Sequence, residues 1–233
     1  MTPFQRLSAV SLAFVALTAM MTAPLAWNAT SALPYADDAY FSVWRLAWVA
    51  HQLVNQPSKL FDTNIFYPAS STLAYSDAML LLGIVGAPAI WAGVHPVLVH
   101  NILLLAGFAL SGVGAFVLTR HLVGKMLPAV LAGIIFAFAP YKFGHFAHLE
   151  LQWTAWMPFA LWAVHRLLET SRLRFGLLLG ALVALQGLSS LYYLAFFGPF
   201  IVCILVGDLN VRSRASKKQV TALCLAWMST DNS

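Results

Sequence analysis

An all-α, polytopic transmembrane bundle is the fold class that the sequence predicts, and three observations predict it. Of the 233 residues, 61% are hydrophobic and only 9% are charged. Mean hydropathy is +0.78, and the apolar residues gather in runs of about 20, the length a helix needs to cross a bilayer. The basic residues fall between those runs, as topology signals do, so the net charge of +5 implies no nucleic-acid partner. Cys203 and Cys224 lie in apolar stretches without metal or redox spacing, which indicates neither a disulfide framework nor a zinc site.

Taken in order, residues 1–27 carry the first span. Arg6 precedes the apolar stretch 7–27 as it would in a signal peptide, but that stretch exceeds the about 7–15 residues of a signal core, so a retained anchor is expected. Residues 28–95 form a long extracytoplasmic loop with two interfacial helices. In the first, Trp44, Trp48 and His51 recur at helical spacing, which suits an amphipathic helix at headgroup level. Asp37 and Asp38 stand at its start, where one carboxylate is expected to cap the helix and meet its positive dipole end. The second occupies residues 78–93, a stretch containing Gly83, Gly86 and Pro88 that is too short to cross readily; it is expected to lie along the outer interface or to re-enter.

Five further spans are expected within residues 96–207, at 97–119, 127–140, 153–164, 175–188 and 191–207. As a single helix, residues 175–207 would reach about 50 Å against a hydrocarbon core of about 30 Å. An outer turn near Gly187, Ser189 and Ser190 removes the excess. Residues 208–233 are read as a cytoplasmic loop and the start of a truncated span: from Gln219 onward only about ten apolar residues follow, too few to cross. A fragment of a longer protein is expected.

Charge bias selects this arrangement over a simple count of crossings. With residues 78–93 kept outside, Arg6, Arg120, Lys125, Arg166, Arg172, Arg174, Arg212, Arg214, Lys217 and Lys218 all become cytoplasmic, as does the N-terminus. Only Arg45, Lys59 and Lys142 remain outside. The acids Asp37, Asp38, Asp62, Asp77 and Glu150 share that outer side.

Polar groups at the mouth of an apolar bundle are functional candidates, because desolvating them without purpose costs free energy. Asp38 is the candidate general base, with Asp37 beside it, since a carboxylate at a low-dielectric boundary is a usable proton acceptor. The stretch YKFGHFAHLELQW, residues 141–153, adds His145, His148 and Glu150; if the helix after Pro140 continues, the two histidines share a face. Imidazoles there suit either hydrogen bonding to an anionic leaving group or, with Glu150 and Asp38, ligation of a divalent metal; the candidate ligands are Asp38, His148 and Glu150. The loop LFDTNIFYPASSTLAYSD, residues 60–77, offers Asn64, Tyr67, Tyr75 and Asp77, an aromatic and polar set that suits a sugar, with an aromatic belt as the competing use of the tyrosines. Arg45 and Lys142 suit a phosphate or, equally, lipid headgroups. Tyr192 and Tyr193 follow the last outer turn and are read as belt residues, with a place on the cavity wall as the alternative.

The stretches DDAYFSVWRLAWVAHQL, LFDTNIFYP, TLAYSD and FAFAPYKFGHFAHLELQW, in their order along the chain, resemble the N-terminal module of the GT-C glycosyltransferases, over residues 27–206. These are integral-membrane enzymes that use polyprenyl-phosphate sugars, among them protein O-mannosyltransferases, lipid A aminoarabinose transferases and bacterial relatives. The resemblance implies a catalytic or metal-ligating acid in the first outer loop, at Asp38 with Asp37 adjacent. It implies a second acid or polar group at Glu150, beside His145 and His148. A polyprenyl-phosphate sugar donor, surrounding membrane lipid, an extracytoplasmic active site in a bacterial inner membrane and an acceptor glycan, lipid or protein follow from it. Two other function classes compete. A transporter or flippase of lipid-linked sugars requires polar groups deep in several spans, whereas here only His100, Asn101 and Gln186 interrupt them. A noncatalytic membrane scaffold requires only that the outer acids cap and solvate.

Overall fold

The computed structural model describes residues 2–208, and every regular element among them is a helix. Arg212, Arg214, Lys217, Lys218 and the apolar segment after Gln219 lie outside the described residues.

Helix α1 (Pro3–Met21) starts on a capping box, with the Gln5 N–H donating to Thr2 Oγ1 and the Thr2 N–H to Gln5 Oε1. The chain enters α2 (Ala36–Asn55) through Tyr35, and no side chain caps it. The cap expected of Asp37 or Asp38 is therefore not made. Both carboxylates sit one step further in, within the first turn, where the helix dipole still favours negative charge. Two short 3-10 turns lead to α3 (Leu80–Trp91), and α4 (Pro96–Val123) follows with proline at its first position and Gly124 in the left-handed conformation at its end. Next come α5 (Met126–Ala137), α6 (Pro140–Gly144), α7 (Leu149–Gln152), α8 (Trp156–Thr170), α9 (Leu173–Ser189) and α10 (Leu191–Asp208).

The axis of the bundle is α4, about 42 Å long at 1.5 Å per residue. On one side α1 and α5 pack against it through Val10, Phe14, Val113, Phe116 and Ala129. On another, Leu46 of α2, Leu82 of α3, Leu149 of α7 and Trp153 just after it pack around Leu104 and Phe108. Ala160, Val164, Leu179, Leu182, Phe197 and Ile201 bind α8, α9 and α10 to one another. Close approach depends on absent side chains: a Cβ at Gly112 would stand 2.5 Å from Phe14 Cδ1, and one at Gly83 2.6 Å from Val49 Cβ.

Four helices are long and apolar enough to cross a membrane: Phe4–Met21, Pro96–Val123, Met126–Gly144 and Leu191–Asp208. All four also turn large apolar groups outward, with Leu12, Val15 and Met20, then Ile102 and Leu122, then Leu127, Leu131 and Ile135, then Phe196, Phe200 and Val202 exposed. A soluble helix hides such residues; one facing lipid has no reason to. Of the five further spans expected, three thus have the length. The segments at 153–164 and 175–188 fall in α8 and α9, of 15 and 17 residues, which reach about 22 and 26 Å, less than a hydrocarbon core of about 30 Å. Ser190, extended at φ −153°, breaks the apolar run 175–207, and α10 folds back on α9: a Cβ at Gly187 would meet Leu194 Cδ2 at 2.7 Å.

Successive helices alternate in direction, which sorts the charges. At one end, Asn101 at the start of α4 donates to the carbonyls of Ala29 and Ala32 at 2.8 and 2.7 Å, holding the loop after α1 against it. The start of α10 and residues 138–155 share that end. Arg6, Arg120, Lys125, Arg166, Arg172 and Arg174 gather at the other, where His121 Nε2 meets Glu169 Oε1 at 2.9 Å and ties α4 to α8. Both flanks of α3 are at the first end, and at 12 residues it is shorter than the four candidate spans. Its partner α2 buries Ala39, Leu46, Val49 and Ala50 against the bundle.

Candidate functional site

On α2, Asp38, Ser42 and Arg45 stand four and three residues apart and share a face. The Arg45 side chain is only 3% exposed. Its Nη2 donates to Glu150 Oε2 at 3.1 Å and to Ser42 Oγ at 2.9 Å, while Nη1 donates to Asp77 O at 2.6 Å and Ser76 Oγ at 3.2 Å. The Phe41 ring lies under the guanidinium at 4.6 Å. A single buried cation thus joins α2, the loop before α3 and the first turn of α7.

Next to this pair stands His148, the residue that precedes α7. Its Nε2 is 3.5 Å from Asp38 Oδ2, and its Nδ1 is 3.9 Å from Glu150 Oε1. These are charge contacts rather than full hydrogen bonds. The sequence Asp38, His148, Glu150, Arg45 therefore leads from a carboxylate that is 60% exposed to a guanidinium inside the bundle. The helix after Pro140 does not continue. It ends at Gly144, and a turn brings the rings of His145 and His148 within 5.7 Å of each other, with Tyr141 4.4 Å from His145.

Asp77 is committed elsewhere. Its Oδ1 accepts from the Leu191 N–H at 2.9 Å, and its Oδ2 from Ser190 Oγ at 2.9 Å and the Tyr192 N–H at 3.4 Å. A loop carboxylate thereby caps the start of α10 and supplies charge at the positive end of its dipole. Around these groups opens a cavity of about 630 Å³, walled by Tyr75, Asp77, Tyr141, His148, Glu150 and Tyr192. A second space of about 470 Å³, lined by apolar groups of α3, α9 and α10, shares Ala74, Ser76, Asp77 and Leu191 with it.

No family model, curated protein or solved structure matches this chain. The chemistry of the site rests on its own residues.

Of the residues singled out in the sequence, Asp38, Arg45, Asp77, His148 and Glu150 come together, and Tyr75 and His145 line the same cavity. Asp37 is exposed one residue from Asp38, on a different face of α2. Asn64 and Tyr67 are exposed on the loop and outside the cavity wall, Tyr67 at 96%. Lys142 is buried, with Nζ donating to Ser111 Oγ and to Gln152 O, both at 2.9 Å. Neither Lys142 nor the enclosed Arg45 is presented to a phosphate in the cavity, whose described wall contains no lysine or arginine. The cationic donors available there are His145 and His148 when protonated.

The metal-ligand set does not form either. Asp38 and Glu150 face opposite nitrogens of one imidazole, so no single ion is reached by all three. Among the described residues, no group of three or more His, Cys, Asp or Glu is placed to hold a metal ion.

Ser42, Ser76, Tyr141 and Ser190 complete the site and were not expected there, and Tyr192 takes the place on the cavity wall that was the alternative to a belt role. The face that Ser42 shares with Asp38 and Arg45 is a signal readable from spacing. The others depend on where the loops fold.

Proposed function

We propose that this chain is the N-terminal module of a membrane glycosyltransferase that moves a sugar from a polyprenyl-phosphate donor to an acceptor on the extracytoplasmic side of a bacterial inner membrane. The observation that supports the reading best is the Asp38–His148–Glu150–Arg45 series at the mouth of a polar, tyrosine-walled cavity, with an apolar space sharing its wall. A sugar suits the first, since its faces are apolar and its edges carry hydroxyls; a prenyl chain suits the second. An aqueous nucleotide sugar has no use for the apolar space.

In the proposed reaction the acceptor hydroxyl lies against Asp38, which takes its proton as the oxygen attacks the sugar C1. A new C1–O bond forms, the bond from C1 to the phosphate oxygen breaks, and its electron pair departs with the polyprenyl phosphate. Protonated His148 or His145 stabilises that departing charge. Arg45 acts from behind, orienting Glu150 against His148. Against the competing transport reading, two of the three polar residues singled out for it are spent on main-chain carbonyls: Asn101 on Ala29 and Ala32, and Gln186 on Trp153 O at 3.0 Å.

The test is release of polyprenyl phosphate from labelled polyprenyl-phosphate sugars by the purified chain in lipid nanodiscs. Asp38→Asn is expected to lower the rate by about 100-fold or more while leaving thermal unfolding unchanged. Wild-type release by that variant would remove Asp38 as the base.

A further inference from the structure

The geometry points to Lys142 and Gln152 as a positioning pair: each side chain binds the other's main chain, and together they hold residues 142–148 so that the His148 ring stands between Asp38 and Glu150. The activity part of this inference rests on the transferase reading; the structural part does not.

After the helix breaks at Gly144, the carbonyls of His145 and His148 accept from the His148 and Leu151 N–H groups at 3.0 and 3.1 Å, and each keeps a second lone pair, while the Lys142 carbonyl faces the same way. They converge on one amide. Gln152 Nε2 donates to His145 O at 2.7 Å and to Lys142 O at 3.2 Å, with His148 O at 3.4 Å. In return Lys142 Nζ donates to Gln152 O at 2.9 Å and reaches α4 through Ser111 Oγ at 2.9 Å. The approach to α4 is close: a Cβ at Gly107 would lie 3.0 Å from Gln152 O, and Trp153 Nε1 donates to Leu103 O at 3.1 Å. Since Glu150 and Gln152 share the single turn of α7 and His148 adjoins it, a shift of Gln152 moves both members of the cluster.

The choice of lysine argues for more than packing. Its side chain is buried, the Phe108 ring stands 5.0 Å from Nζ, and no carboxylate among the described residues pairs with it. A lysine amino group without a counter-charge in an apolar bundle is costly, and methionine would fill the same space without that cost. What methionine cannot do is donate to Gln152 O and Ser111 at once.

The experiment uses the full chain in lipid nanodiscs with isotope-labelled histidine, the His148 ring signals being assigned by their loss in His148→Gln. Lys142→Met and Gln152→Leu are each expected to move the His148 signals while leaving those of His121, at the opposite end, in place. Sugar transfer is expected to fall roughly 10- to 100-fold in kcat with KM nearly constant, as for a displaced catalytic group. The double variant is expected to be no slower than the slower single, because the two side chains act as one unit. Ser111→Ala, which removes only one contact of the ammonium, is expected to produce a smaller movement in the same direction and serves if Lys142→Met does not fold. His148 signals unmoved in folded Lys142→Met or Ser111→Ala protein would overturn the inference. Should the wild-type chain transfer no sugar from any polyprenyl-phosphate donor, the transferase reading falls while the ring signals still decide the positioning role.

Discussion

Replacing Glu150 by leucine isolates the buried ion pair. The Arg45 side chain is 3% exposed and that of Glu150 12%, at 3.1 Å. Without the carboxylate, Arg45 keeps Ser42, Ser76 and the Asp77 carbonyl as neutral acceptors but has no counter-charge. Breaking a buried pair costs about 3–5 kcal/mol, and the surviving bonds favour the lower end, about 3 kcal/mol. At about 2–4 °C per kcal/mol for a chain of this size, the midpoint of thermal unfolding is expected to fall by about 6–12 °C. Arg45→Met leaves a less buried carboxylate beside His148 and is expected to cost less, about 1–3 kcal/mol. The double variant Arg45→Met/Glu150→Leu leaves neither charge alone and is expected to lie near the wild type, because an apolar pair of similar volume replaces a buried ion pair at little net cost. Tryptophan fluorescence in lipid nanodiscs reads all four proteins. If the double variant loses the sum of the two single losses, the pair is not coupled and Arg45 does not organise the site through Glu150.

Asp77→Ala removes three acceptor contacts from the start of α10 and is expected to cost about 1–2 kcal/mol, seen as roughly tenfold faster hydrogen exchange at the Leu191 and Tyr192 amides. Unchanged exchange there would mean that the cap is not made. In a chain whose Cys203 and Cys224 are replaced by alanine, cysteines introduced at Ser70 and Ser171 are expected to react with a membrane-impermeant thiol reagent from opposite sides, Ser70→Cys in intact cells and Ser171→Cys only after permeabilisation. Labelling of both from one side would contradict the sorting of charges between the two ends.

Much of the architecture was legible because it follows from lengths. The apolar run at 175–207 is too long for one helix, so a reversal near Ser190 was readable, and residues 78–93 are too short to span, as α3 is. The charge bias likewise brought Asp38, His148 and Glu150 to one end. What a linear reading misassigned were two of the three outer cations. Arg45 stands alone in its stretch of sequence, and its carboxylate comes from a residue 105 positions away. Lys142 follows a helix break whose geometry turns its stem inward, a fact no local pattern contains. Asn64 and Tyr67 had the right chemistry for a sugar but are exposed outside the cavity wall, in a loop fastened at Asp62, Thr63 and Leu73 instead. The metal set failed for a reason of shape: proximity of three ligand types says nothing of which ring nitrogen each carboxylate faces.

The tether between Asp77 and the start of α10 spans 113 residues, and translation orders its two halves in time. At about 5–20 residues per second, about 6–23 s separate the emergence of the acid from that of Ser190. Throughout that interval the nascent chain already carries Asp38, and later His148 and Glu150, while the strap over them hangs unfastened. Closure of the cavity thus waits for the emergence of Ser190, and a chain interrupted before it would hold every acid of the cluster without the latch that gathers them.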